Sequence, residues 1–213
     1  LSEAVDEETA AVLLEPVQGE GGVNPAPEGY LAAAREACDD AGAALVFDEI
    51  QTGLGRTGSL WACENAGVEP DVLTVAKGLA SGLPIGATLC ADWIAEDSGN
   101  HGSTFSGGPV PCAAALATLD VIENEGLASH AAAVGEQFQS ELADLPVRDV
   151  RGEGLLVGVE VKRGANRALP SLAMKHGILA LPAGRTVVRF LPPLTLEEEH
   201  VDPMIHSRHD LLC

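Results

Sequence analysis

Short apolar runs alternate with segments of helical period along the first half of the chain, and each change of period predicts an element boundary. Ala11-Val12-Leu13-Leu14 reads as a short buried strand, and Glu15 to Gly22 as a glycine-rich loop carrying acids. From Tyr30 to about Asp40 alanines and a leucine recur at helical spacing, with Pro27-Glu28-Gly29 before them and Gly42 as the stop. Ala44-Leu45-Val46-Phe47 and Val72-Leu73-Thr74-Val75 read as further strands, the second after a turn at Glu69-Pro70-Asp71, and Ile85 to Ala91 as a fourth. Strand, helix and strand repeated at this spacing predict βαβ units, hence an α/β fold with a largely parallel sheet.

The second half changes character. Pro109 to about Glu125 is an alanine-rich helical stretch ended by Gly126, and Leu127 to about Leu145 is another. Gly154 to Val161 and Thr186 to Phe190 read as strands, so residues 126–213 are expected to form a small α+β domain and residues 1–125 a larger α/β one. A final amphipathic helix is disfavoured around Pro203 to His209, because an interior proline removes a hydrogen bond.

Composition narrows the function classes. The chain of 213 residues is 46% hydrophobic, ample for a buried core, and its formal charge is −20. With no basic cluster, a nucleic-acid or anionic-membrane partner is not expected. The acids are spread along the chain as on a solvated surface; recognition of a basic ligand and adaptation to a high-salt cytoplasm are the other readings. Cys38, Cys63, Cys90, Cys112 and Cys213 are odd in number and lack CxxC spacing, which predicts reduced thiols and a cytoplasmic location. No signal pattern or run of about 18 apolar residues is present. His206 and His209 have no third ligand at a zinc-type spacing and read as tail residues, so no metal is expected. The chain enters its first strand soon after Leu1, so it reads as part of a longer protein.

One amine stands out. Only three lysines occur, Lys77, Lys162 and Lys175, and Lys77 follows a strand pattern directly and opens a glycine-rich turn. Asp48 ends the preceding strand pattern in the same way, and open α/β sheets place ligand sites at the carboxyl ends of their strands. An amine and a carboxylate so placed fit pyridoxal phosphate: the lysine bonds to its aldehyde and the aspartate keeps its pyridine nitrogen protonated. Gln51 is a neutral amide suited to hydrogen-bond the ring hydroxyl. Each also has a plainer reading, Lys77 as a lysine snorkelling from a strand end and Asp48 as a turn former.

EPVQGEGG at Glu15 to Gly22, DEIQTGLGRTG at Asp48 to Gly58, LTVAKGLASGLPIGA at Leu73 to Ala87 and HGSTFSGG at His101 to Gly108 together resemble the class III pyridoxal-phosphate aminotransferases. The similarity is to the acetylornithine and ornithine branch, and corresponds to the later half of a family member. It implies the fold type I architecture of pyridoxal-phosphate-dependent transferases, incomplete at its N-terminal side, and a homodimer. By the same resemblance Lys77 is the Schiff-base lysine, while Asp48, Gln51 and Thr104 bind the cofactor, Thr104 by reaching the phosphate of the neighbouring subunit. Ser103 touches substrate, Arg189 binds a substrate carboxylate, and Glu20 is its switch partner; an ordinary salt bridge is the plainer reading of that pair. Glu15 supports the site. Gly108 and Ser106 depart from the asparagine and glycine common in the family's phosphate loop.

The implied activity moves an ω-amino group from an acetylornithine-like amine to 2-oxoglutarate, within arginine biosynthesis. A transaminase acting on carrier-protein-linked glutamate or aminoadipate semialdehyde, with a possible acidic carrier as partner, is one alternative. A non-catalytic fragment lacking the front half of the site is another.

Overall fold

The computed structural model describes residues 1, 3–97, 99 and 102–206, with residues 202–204 and 206 described as backbone only. His101, His209 and Cys213 lie outside the described residues, as does the side chain of His206. The first elements are β1 (Ala11–Leu14), β2 (Val17–Gln18), β3 (Asn24–Pro25), α1 (Tyr30–Ala41), β4 (Ala44–Asp48), α2 (Ala62–Ala66), β5 (Val72–Val75), β6 (Ala87–Cys90) and α3 (Asp92–Asp97). They are followed by α4 (Pro109–Asn124), α5 (Leu127–Ala143), β7 (Asp149–Glu153), β8 (Leu156–Glu160), α6 (Ala165–His176), β9 (Leu181–Ala183), β10 (Val187–Phe190) and α7 (Glu198–His206).

Two units form. Among the described residues, those within 1–16, 26–54 and 60–126 make the first, and those within 17–25, 55–59 and 127–206 make the second. Segments 17–25 and 55–59 therefore pack with a unit from which they are distant in sequence.

In the first unit β1, β4 and β5 pair in parallel and β6 closes the sheet antiparallel, in the order β1-β4-β5-β6. Helix α1 is the crossover from β1 to β4, as parallel pairing requires. Its buried residues Leu31, Ala34 and Cys38 recur at three and four positions, and Gly42 ends it with a left-handed φ of 69°. Strand β4 runs through the core with Leu45 and Phe47 at 0% exposure. Asp71, one residue before β5, accepts the Leu45 N–H at 2.7 Å and Arg35 Nη1 at 2.7 Å, tying α1, β4 and β5 together. Burial pulls the Asp71 carboxyl up, but these donors outweigh it and hold it below its ordinary value.

In the second unit β7-β8-β10-β9 form an antiparallel sheet. Val159, Val188, Val157 and Phe190 pack one face against Phe138 and Leu142 of α5 and Leu172 of α6. The rings of Phe138 and Phe190 meet edge to face, with centroids 5.5 Å apart. The other face holds Leu156, Ala183 and Val187, covered by Val17 and Val23. Segment 55–59 joins this unit through Arg56, whose Nη1 donates to the carbonyls of Leu155 at 3.2 Å and Pro192 at 2.5 Å.

Three expectations change. The stretch read as one strand from Gly154 begins at Leu156, after a turn, and its partner β7 was not anticipated because Arg151 and Gly152 interrupt its apolar alternation. Residues 15–22 are not wholly loop: Val17 and Gln18 pair with Pro25 and Asn24 in a hairpin. Helix α7 forms despite Pro203, because Val201 and Ile205, four apart, pack on the core and offset the lost hydrogen bond. No helix among the described residues is long and apolar enough to cross a membrane.

Candidate active site

Asp48 is the last residue of β4 and is in register with Thr74 of β5, three residues before Lys77. The acid and the amine thus leave from the carboxyl ends of adjacent parallel strands. The Asp48 carboxylate is fixed from two sides: Oδ1 accepts the Ile50 N–H at 3.0 Å and the Thr74 hydroxyl at 3.3 Å. Gln51 follows one turn later, half-buried.

Lys77 opens a 3₁₀ turn, Lys77–Ala80, with its own backbone in the left-handed region at φ 46° and Ser81 likewise at 49°. Non-glycine residues enter this region at a cost, of order 1–3 kcal/mol, that neighbouring structure must overcome. Two contacts do so here. Ser81 and Thr118 of α4 share a hydrogen bond of 3.0 Å, and Leu54, itself at φ 61° and 6% exposed, underlies Gly78. The turn exposes the lysine while Leu79 and Ala80 are buried.

Glu49, beside Asp48, was not singled out from sequence and is 0% exposed. Its Oε2 accepts the Ala62 N–H at 2.7 Å and the Thr52 hydroxyl at 3.0 Å, and its Oε1 the Cys63 N–H at 2.8 Å. The carboxylate caps the first turn of α2 from a distant position in sequence, satisfying donors that a helix start leaves open. Through the Thr52 hydroxyl it also ties the turn after β4 to α2. Burial first, and then Glu49, push the neighbouring Cys63 thiol up to about 12.

Ser103 and Thr104 are exposed in the segment leading into α4, where Ser106 Oγ donates to the Ser103 carbonyl at 3.4 Å.

In the second unit the sheet brings Arg189 and Glu20 together, with Arg189 Nη2 at 2.7 Å from Glu20 Oε1. Arg189 lies on β10, buried at 4% exposure, and Glu20 in the loop of the β2–β3 hairpin. Cross-strand registers place Arg151, Gly158 and Arg189 in one row across β7, β8 and β10. Arg151 was not anticipated either.

The family model for "Aminotransferase class-III" matches residues 1–212. The chain belongs to the class-III aminotransferases. Among curated relatives of this chain, the acetylornithine aminotransferase of Methanosarcina mazei is 42% identical over 96% of the chain and 52% of the relative. The [LysW]-aminoadipate semialdehyde/glutamate semialdehyde transaminase of Sulfurisphaera tokodaii is 43% identical over 93% of the chain and 53% of the relative. Among solved structures, an ornithine aminotransferase from Toxoplasma gondii, described with partial occupancy of pyridoxal phosphate at its active site, superposes with a TM-score of 0.91. It is 40% identical and covers 99% of the chain and 53% of its own. The chain spans about half the length of the curated relatives it matches.

Proposed function

We propose that this class-III aminotransferase chain carries the lysine-bearing part of a pyridoxal-phosphate site that moves an ω-amino group from an acetylornithine-like amine to 2-oxoglutarate. The observation behind this reading is the placement of Lys77, in a left-handed turn at the carboxyl end of β5, next to the strand that ends in Asp48. The donor set suits the cofactor: a carboxylate held by two donors can keep a ring nitrogen protonated, and an exposed primary amine can reach an aldehyde.

When bound, pyridoxal phosphate supplies a carbonyl for the amine and a protonated ring that withdraws electrons from the substrate carbon. Asp48 holds the ring proton, and Gln51 donates to the ring oxygen without adding charge. Lys77 moves the proton at the substrate carbon. Arg189 receives a carboxylate through its planar guanidinium, and Ser103 contacts substrate. Thr104 serves the phosphate of a second copy in a homodimer.

Glu20 and Arg189 answer a requirement of double displacement: one enzyme must accept an amine and then a keto acid with different near ends. A glutamate that covers the arginine during one half-reaction and releases it during the other meets that requirement. The pair's 2.7 Å contact, with the glutamate exposed and the arginine buried, supports this assignment.

A carrier-linked semialdehyde substrate is the second reading, favoured by the relative from Sulfurisphaera tokodaii. The formal charge of −20 counts against an acidic carrier, because like charges slow and weaken docking. Glutamate formation from 2-oxoglutarate decides between them. Turnover with free N-acetylornithine supports the leading reading, and turnover only with a carrier-bound amine supports the second.

A further inference from the structure

The Glu20 loop is fastened to the sheet by a residue that the proposed reaction does not use. Arg151 of β7 sends its Nε to two carbonyls of that loop, Gly22 at 3.0 Å and Val23 at 3.1 Å. Its Nη1 is held from the sheet side by Asp149 at 2.7 Å and Glu160 at 3.1 Å. Burial works against the Arg151 charge, but the two carboxylates outweigh it and hold the guanidinium above its ordinary value.

A second contact fastens the same loop one residue on. Val23 is fully buried at φ 51°, a conformation that a β-branched residue adopts only under constraint. It fits because its neighbour on β8 is Gly158, where an added Cβ would stand 2.7 Å from Val23 Cβ. Gly158 is also the residue in register with both Arg151 and Arg189. Asn24 Nδ2 closes the loop internally, donating to the Gly21 carbonyl at 3.0 Å. The backbone around Glu20 is thus anchored on its sheet side, while the Glu20 side chain is 69% exposed.

We infer that Arg151 is a positioning residue for the Glu20–Arg189 pair: it fixes the hairpin backbone so that the pair opens by rotation of the Glu20 side chain alone. Neither Arg151 nor Val23 touches substrate in this account. The inference rests on the proposed switch, and deepens it by naming what holds the movable partner over the fixed one. A backbone free to drift would hold Glu20 over Arg189 for a smaller fraction of the time, and a carboxylate ligand would then compete more easily.

The test is calorimetric binding of glutarate, a dicarboxylate that cannot react, to the protein and to E20Q, R151Q, the double variant and R189A. E20Q and R151Q should each tighten binding by roughly fivefold, about 1 kcal/mol at 1.4 kcal/mol per tenfold. The double variant should gain nothing over E20Q, and R189A should lose binding. A residue that merely supports the fold would weaken binding when removed, so tightening separates the two roles. If E20Q tightens binding and R151Q does not, the role of Arg151 is overturned while the switch stands. If E20Q leaves the affinity unchanged, the switch itself fails and Arg151 has no pair to position. Hydrogen exchange at residues 19–23 gives the second readout: it should accelerate in R151Q and not in E20Q, and unchanged exchange in R151Q overturns the anchoring.

Discussion

Arg189 and Glu20 meet at 2.7 Å, yet the arginine side chain is 4% exposed and the glutamate 69%. The two ends of the ion pair therefore differ in what separation costs. Glu20 returns to water, whereas Arg189 stays desolvated and favours any carboxylate that replaces it. Arg189→Ala should depress the 2-oxoglutarate half-reaction more than the amine half-reaction by roughly 10- to 100-fold, the worth of hydrogen bonds to a charged group. Single-turnover kinetics of each half-reaction reads the split, and equal losses contradict the assignment.

Glu49 should be indispensable for stability, because its carboxylate is fully buried and caps α2. Glu49→Ala leaves two buried N–H groups without their acceptor and removes one hydrogen bond of the Thr52 hydroxyl, a loss of about 3 kcal/mol or more. Urea denaturation measures it. A change below about 1 kcal/mol would mean that the cap contributes no more than one ordinary hydrogen bond.

Gly135 inverts the usual rule for helices. Alanine in place of glycine inside a helix ordinarily gains about 1 kcal/mol. A Cβ at Gly135 would stand 2.2 Å from the Gly154 carbonyl oxygen, which is backbone and cannot swing aside. Gly135→Ala should therefore destabilise by about 1–3 kcal/mol, the usual range for overpacking, with a lower melting temperature as the sign. A raised melting temperature would contradict the packing described.

Cys63 should be silent toward thiol reagents at pH 8, where exposed Cys90 reacts, because burial and Glu49 hold its thiol protonated up to about 12. The folded value is raised above the ordinary 9.0, so the folded state keeps a proton that the unfolded state loses. The stability this contributes is complete below the unfolded value and is lost as pH rises from there to the folded one. Cys63→Ala should flatten the alkaline decline in stability.

The sequence made parts of this molecule legible and hid others for identifiable reasons. Leu31, Ala34 and Cys38 repeat at helical period and end at Gly42, so α1 was plain, as were β4 and β5 with their short, mainly apolar runs rich in Val and Leu. Strand β7 was missed because its residues Asp149, Arg151 and Glu153 are charged, and their partners are loops and side chains brought in by tertiary contact. Lys77 and Asp48 were visible because strand ends are local. The Glu49 cap on α2 and the Arg151 hold on the Glu20 loop join residues 13 or more apart, a relation that no periodicity records. Pro203 argues against a helix by local propensity, and the burial of Val201 and Ile205, set by tertiary packing, outweighs it.

Covalent trapping decides whether Lys77 is the amine that bonds to the cofactor. The protein is mixed with pyridoxal phosphate, reduced with borohydride and mapped by peptide mass spectrometry. An adduct on Lys77, lost in Lys77→Ala, is the expected result. An adduct confined to Lys162 or Lys175, one that survives Lys77→Ala, or no specific adduct would contradict it.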